Sequence, residues 1–273
     1  MSKKRALVLL LFAFALIAAA CGDDDSTTTT TAAASGGSEG TAPDLGGRTI
    51  TIAVENAYLP FNYIPAGSTE PAGWDYEAFA AICETINCTP EFVQMQWDPM
   101  IDQVSQGVVD TAGDGISITD ERKEKVDYSD AYMVVEQKFI ARLDDDRYAD
   151  SIAVIDSDAV VGTQVGTTNY ELGVERVGDA RIDAYEQFGV AVQALIQGDV
   201  DAVIIDDTAG QGYIGVNADQ TKLLPDELQS DPLGFIYPKD SDLIDPVNAV
   251  LKDMMEDGTL DDLFKKWFVD YTP

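Results

Sequence analysis

The chain of 273 residues contains no histidine. That absence removes imidazole acid–base catalysis, Ser-His triads and histidine metal sites together. Cysteine is nearly as scarce: Cys21, Cys83 and Cys88 are all there is. A C-x4-C pair with no other cysteine or histidine to join it is a poor metal site, so neither a metal nor a cofactor is expected. Positive charge is thin, with 17 Lys and Arg against 49 Asp and Glu and a net charge of −32. Phosphate contact needs the opposite field, so nucleic acid is excluded as a partner. Apolar runs are short as well. The unbroken stretch Ala6–Ala20 spans 15 residues, below the roughly 20 that a membrane-crossing helix needs.

What is present divides the chain into three parts. Hydrophobic residues make up 45% of it, enough for a sizeable core in one large domain or two ordinary ones. Met1–Arg5 is basic and leads into Ala6–Ala20, the form of a signal peptide over residues 1–20. Ala18-Ala19-Ala20-Cys21 then resembles a bacterial lipobox, with Cys21 as the residue lipidated after cleavage. Ala18 stands where that motif more often has Leu, and ordinary Ala-x-Ala cleavage beside an incidental cysteine is the alternative. Residues 21–47, with Asp23-Asp24-Asp25 and the run Thr27–Thr31, read as a low-complexity tether. The expectation is an exported protein held to the cell membrane by a lipid anchor only, without a span. Without residues 1–20 the chain loses Lys3, Lys4 and Arg5 and no acid, so its charge becomes −35. That field favours solubility and cationic ligands.

The remainder alternates strand and helix signals. Arg48–Val54 reads as a strand and is followed by an aromatic loop holding Glu55, Tyr58 and Phe61. Asp75 reads as the N-cap of a helix with the apolar stripe Ala78, Phe79, Ile82 and Ile86. Cys83 lies in that helix and Cys88 beyond it. A bond between them needs the helix to stop in between, and Asn87 can supply a left-handed stop. In an exported protein the pair is expected to be a disulfide. Glu91–Met95 reads as a strand, with Trp97 opening the next helix region, Met100 to Gln106. Val134–Arg142 is extended and free of Gly. Val160–Tyr170 repeats strand, turn and helix N-terminus, but without the Gly-Lys-Ser/Thr ending of a phosphate loop. Phe188–Gln197 is an amphipathic helix before the strand Ala202–Ile205, and Asp206 at that strand's end fits a cap of the next helix. Gly107-Val108-Val109-Asp110 recurs as Gly198-Asp199-Val200-Asp201, each after an amphipathic helix. Two related α/β lobes would produce that repeat.

The most informative stretch is Gly115-Ile116-Ser117-Ile118-Thr119-Asp120-Glu121-Arg122, followed by Val126-Asp127-Tyr128-Ser129-Asp130-Ala131-Tyr132. Thr119 reads as an N-cap, and Asp120 and Glu121 suit a helix N-terminus, whose dipole opposes the cation Arg122. Beside Ser117 and Thr119, that guanidinium would make a fork for a carboxylate. The alternative is a solvated pairing of Arg122 with Asp120, Glu124 or Asp127.

The segment resembles the signature of the periplasmic polar-amino-acid-binding proteins, the receptors of amino-acid ABC importers, and the resemblance extends over about residues 50–270. It implies an α/β, two-lobed periplasmic-binding-protein (Venus flytrap) fold of type II with the ligand in the interlobe cleft. Lobe 1 would be 48–136 plus 235–273, and lobe 2 would be 137–234. By the same resemblance, Arg122, Ser117 and Thr167 hold the ligand carboxylate, and Asp206, Gly115 and Ser117 hold its ammonium. Glu55, Tyr58, Trp97, Gln164 and Thr168 face the ligand side chain, with Tyr58 and Trp97 stacking on it from opposite sides. Asp114 replaces a residue that is usually small, and the direction of its side chain stays open. The expected partners are an amino acid, with Arg or Lys first and Gln or Glu after, and an ABC transporter permease. The receptor is expected to be monomeric and not an enzyme. The alternatives are a cyclohexadienyl dehydratase-like enzyme on the same fold, with Glu55 and Asp114 as acid–base groups, or a ligand sensor without transport.

Overall fold

The structure, a computed structural model, describes residues 43–271. The expected signal peptide, the lipidated Cys21 and the tether up to residue 42 lie outside the described residues. The chain opens with β1 (Arg48–Val54), the short hairpin β2 (Ala57–Tyr58) and β3 (Asn62–Tyr63), and helix α1 (Trp74–Ile86). Then come β4 (Cys88–Gln94), α2 (Trp97–Ser105), β5 (Thr111–Ala112), α3 (Asp120–Lys125) and β6 (Asp127–Tyr128). The long strand β7 (Met133–Arg142) leads to α4 (Ser151–Ile155), β8 (Val161–Gln164), α5 (Thr168–Val177), β9 (Ile182–Tyr185), α6 (Phe188–Gln197) and β10 (Ala202–Asp206). The chain closes with α7 (Asp207–Val216), β11 (Thr221–Leu223), β12 (Gln229–Leu233), β13 (Ile236–Tyr237), α8 (Ile244–Asp257) and α9 (Thr259–Phe264).

The strands form two main sheets, one per lobe. The first runs β4-β1-β5-β13-β6, with β1 parallel to β4 and β5 and with β13 antiparallel to both its neighbours. The second runs β11-β7-β10-β8-β9, with β12 also paired to β7. Parallel pairs such as β1·β4 and β8·β9 require crossover helices, which α1 and α5 provide. The chain passes between the lobes twice, after β6 and before β13. These crossings lie side by side, with Ser129 N–H donating to the Phe235 carbonyl (2.9 Å) and Tyr132 N–H to the Leu233 carbonyl (3.0 Å).

Local signals account for most elements. β1 buries Ile50, Ile52 and Val54, and α1 buries Ala78, Phe79, Ile82 and Ile86 against it. Asn87 ends α1 in the left-handed conformation (φ 52°, ψ 60°), Cys88 begins β4, and Cys83 and Cys88 are bonded. Asp75 is not the N-cap of α1. Gly73, at φ 139°, turns the chain so that Trp74 N–H and Asp75 N–H donate to the carbonyls of Pro60 (3.1 Å) and Phe61 (2.9 Å). The helix start is satisfied by backbone acceptors, and Asp75 is left fully buried in the first turn. The principal core joins the lobes: Tyr58, Phe61 and Trp74 belong to the same apolar cluster as Phe188, Val192 and Tyr213. Among the described residues, no helix is long and apolar enough to cross a membrane.

Candidate functional site

In both sheets the carboxyl ends of the parallel strands, β1, β4 and β5 in one and β8, β9 and β10 in the other, point at one cavity of about 300 Å³ between the lobes. Crevices at such ends are where open α/β sheets take ligands. From the first lobe the lining is Glu55 and Tyr58 after β1, Trp97 at the start of α2, Asp114, Gly115 and Ser117 after β5, and Arg122 in α3. From the second it is Gln164 at the end of β8, Thr167, Thr168 and Asn169 at the start of α5, Phe188 opening α6, and Asp206 ending β10. Every side chain predicted to face an amino-acid ligand is therefore brought to one cavity. Gly115 has no alternative: it sits at φ 60°, and a Cβ there would stand 2.8 Å from Tyr58 Cε1.

The lobes are closed on each other. Tyr58 Oη donates to Asp206 Oδ2 (2.8 Å), Gln164 Nε2 to Glu55 Oε1 (2.9 Å), and Trp97 Nε1 to the Gly166 carbonyl (3.1 Å). Ser117 Oγ lies 3.2 Å from Thr168 Oγ1, and Tyr213 Oη donates to the Ala57 carbonyl. Arg122 spans the gap too. Its Nη1 donates to the Ser117 carbonyl (3.1 Å), its Nη2 to the Gly166 carbonyl (3.4 Å), and its guanidinium lies 5.3 Å from the Trp97 ring centre. Thr119 caps α3 by accepting from Arg122 N–H (3.2 Å), so the cap fixes the backbone from which the guanidinium reaches. Neutral carbonyls and an aromatic face leave the Arg122 charge without an acid partner in the cavity.

Opposite it, Asp206 is 2% exposed and accepts from Tyr58 and, through Oδ1, from Asn169 Nδ2 (3.0 Å). Burial pushes its carboxyl up to about 6, against the pull of Asn169 and Tyr58. The carboxylates of Glu55 and Asp114 are each 3% exposed. Burial, and then the neighbouring Asp114, raise Glu55 to about 9, while the Gln164 bond opposes. Burial raises Asp114 to about 7 against the Asn62 amide and the Glu55 main chain. Asp75, fully buried behind them, is raised well above the usual carboxylate range by burial.

Several contacts differ from the expectation. The Tyr58 ring stacks on Phe61 (5.2 Å between centres) and on Phe188 (5.4 Å), and its hydroxyl reaches Asp206. Trp97 packs on the Arg122 guanidinium. Both rings thus pack on protein partners in the closed cleft while also lining the cavity. Thr167 is engaged as the α5 N-cap, accepting from Tyr170 N–H (3.1 Å) and donating to the Gln164 carbonyl (2.7 Å). Asp206 stands at the N-cap position of α7 but makes no capping bond, because its oxygens are turned to Tyr58 and Asn169. Asn169 and Phe188 line the cavity without having been singled out in the sequence. Their signal is positional only, since each opens a helix after a strand's carboxyl end.

The chain resembles known proteins in sequence and in fold. The family model for bacterial extracellular solute-binding proteins, family 3, matches residues 50–270. The L-cystine-binding protein TcyA of Bacillus subtilis (strain 168) is 28% identical over 221 residues, covering 80% of this chain and 81% of the relative. The arginine-, lysine-, histidine-binding protein ArtJ from Geobacillus stearothermophilus superposes with a TM-score of 0.75 at 28% identity, over 83% of this chain and 97% of that one. The ancestral amino acid-binding protein AncCDT-1, a precursor of cyclohexadienyl dehydratase, gives a TM-score of 0.73 at 31% identity, over 81% and 95% of the two chains.

Proposed function

This chain belongs to the bacterial extracellular solute-binding proteins, family 3, and from that premise we propose that it is an amino-acid receptor that closes on a cationic amino acid, Arg or Lys, and delivers it to an ABC transporter permease. The observation that carries the reading is the placement of Arg122 on one lobe and a buried Asp206 on the other, across a single cavity. An α-carboxylate and an α-ammonium match those two charges, so the ligand itself completes the bridge between the lobes. Ser117 and Thr168, whose hydroxyls meet across the cleft, supply neutral donors beside the carboxylate. Glu55 and Asp114 favour a cationic side chain over a neutral or acidic one. The names of the relatives support an amino acid and leave its side chain to the cavity: ArtJ binds arginine, lysine and histidine, and TcyA binds cystine. Anchoring through Cys21 and a monomeric state belong to the same proposal.

The test is a melting-temperature screen against the twenty amino acids, on protein unfolded and refolded to remove carried-over ligand. Arginine or lysine should raise the midpoint, since ligand at about 100 times Kd stabilises by about 2.7 kcal/mol. A response confined to glutamine or glutamate would retain the receptor and discard the cationic specificity. Silence with all twenty would remove the amino-acid reading.

An enzymatic reading has two observations in its favour. Glu55, held neutral in the cavity, has the form of a general acid, and a dehydratase precursor is among the structural relatives. We propose binding without turnover, because Asp206 and Arg122 match the charges of an intact amino acid. Formation of an aromatic product from prephenate or arogenate would reverse that choice.

A further inference from the structure

The first-lobe wall of the cavity holds a group of buried acids that the carboxylate and ammonium contacts do not use. Glu55 and Asp114 line the cavity, Asp75 lies behind them, and Asn62 connects Asp75 to Asp114. Asn62 is completely buried and cannot turn, because its Oδ1 accepts from Asn56 N–H (2.6 Å). Its Nδ2 is thereby aimed at the acids and donates to Asp75 Oδ2 (2.8 Å) and to Asp114 Oδ1 (2.6 Å). Asp114 Oδ2 is buried without a hydrogen-bond donor at bonding geometry, the pull of the Glu55 main chain on the carboxylate aside. Glu55 receives one side-chain bond, from Gln164.

Among the described residues, no cation answers these charges. The titratable groups facing the pair are Tyr58, Asp75, Tyr76, Arg122, Tyr132, Asp206 and Tyr213. Among the described residues, Arg122 is the only cationic side chain lining the cavity, and its hydrogen bonds go to the Ser117 and Gly166 carbonyls. Two carboxylates buried together without a counter-charge cannot both ionise, so one proton at least stays with them while the site is empty.

We infer that Asp114, positioned by Asn62, forms with Glu55 a proton-exchanging subsite that takes the cationic end of the ligand side chain and releases a proton to solvent when it does. The inference rests on the amino-acid receptor reading and adds to it a specificity-determining residue and a linkage. A guanidinium or ammonium supplies the missing positive charge, gives Asp114 Oδ2 a donor, and lowers the proton affinity of both acids. A neutral side chain does none of this and leaves the proton in place. The raised carboxyls of Glu55 and Asp114 agree, since both hold protons at pH values where an exposed acid has lost them.

The test is calorimetric titration of the purified full chain with L-arginine, and with L-citrulline as its neutral isostere, in two buffers of different ionisation enthalpy near pH 7. Arginine should release about one proton and citrulline none, with arginine affinity rising by up to about tenfold per pH unit between pH 6 and 8. Asp114→Asn, nearly isosteric and still an acceptor for Asn62, should reduce the release, leaving only what Glu55 contributes, and lower the arginine-over-citrulline preference at least tenfold. Arginine binding with buffer-independent enthalpy and flat pH dependence would overturn the subsite and leave the receptor standing. Binding of neutral amino acids but neither arginine nor lysine would overturn it together with the cationic specificity. Binding of no amino acid at all would take down the underlying reading.

Discussion

Arg122 sits in the middle of the six-residue helix α3, and its guanidinium is met by backbone carbonyls and the face of Trp97. Such a charge is available to an incoming carboxylate without first breaking a salt bridge. Arg122→Ala should therefore weaken every amino-acid ligand by about 2–5 kcal/mol, as loss of a buried charge partner does, while melting near the wild-type temperature. Titration calorimetry beside a thermal melt separates the two effects, and a variant that fails to fold would contradict the assignment. The buried acids carry a stability consequence of the opposite kind. Exposed carboxylates lose their protons near pH 4, whereas Asp114 and Glu55 hold theirs in the native protein to about 7 and about 9. Between those limits the native state binds more protons than the unfolded one, so the ligand-free protein loses stability as pH rises through that window. Glu55→Gln or Asp114→Asn should flatten the decline and stabilise the empty protein at pH 8 by at least about 1 kcal/mol each. Urea melts at pH 5 and pH 8 decide it, and variants less stable than wild type at pH 8 would show that the fold does not raise these acids.

At the scale of elements, caps and turns aim the side chains. The Thr119 hydroxyl accepts the amide of Arg122 itself, so the residue that starts α3 also orients the ligand's clamp. Thr119→Ala should cost about 1 kcal/mol of stability and weaken ligand binding by less than Arg122→Ala does. An affinity loss with no loss of stability would mean that Thr119 contacts ligand directly. The end of α1 is held by Asn87 in the left-handed region and by the Cys83–Cys88 bond. The loop it closes is short, so replacing both cysteines by alanine should lower stability by only about 2 kcal/mol and leave ligand affinity unchanged. These elements were legible because each signal is local: an alternating strand, a Thr before acids, an Asn between two cysteines. The start of α1 was not. Asp75 satisfies the N-cap rule on paper, but the Trp74 and Asp75 amides that follow Gly73 find acceptors on Pro60 and Phe61, residues brought in by the preceding hairpin.

For the whole molecule, function resides in how the lobes meet. Besides the cavity, they touch where α7 of the second lobe lies on Leu59 and Pro60 of the first. A Cβ on Gly212 would stand 3.0 Å from Pro60 Cδ and 3.2 Å from the Leu59 carbonyl carbon. Gly212→Val should wedge the lobes apart, since backbone and a proline ring cannot move aside as a flexible side chain would. Its expected signature is ligand affinity reduced at least about tenfold, the shift that a closure cost of about 1.4 kcal/mol produces. Small-angle scattering should then detect a larger radius of gyration in saturating ligand than wild type has. Wild-type affinity in this variant would show that closure does not require the contact.

The order of strands and helices, the loops that bear the site, and the charge that excludes nucleic acid were determined by the sequence itself, because periodicity, turn chemistry and net charge act between near neighbours or sum over the chain. The pairing of site residues was decided by tertiary structure. Tyr58 and Asp206 lie 148 positions apart, and Gln164 and Glu55 lie 109 apart. No spacing rule reaches that far, so only the closed fold reveals that the Tyr58 ring is already stacked, that Asn62 ties two acids together, and that Asp114 faces the cavity with one oxygen unmet. A hydrogen bond is fixed by distance in space, and distance in space between remote residues exists only once both lobes have packed.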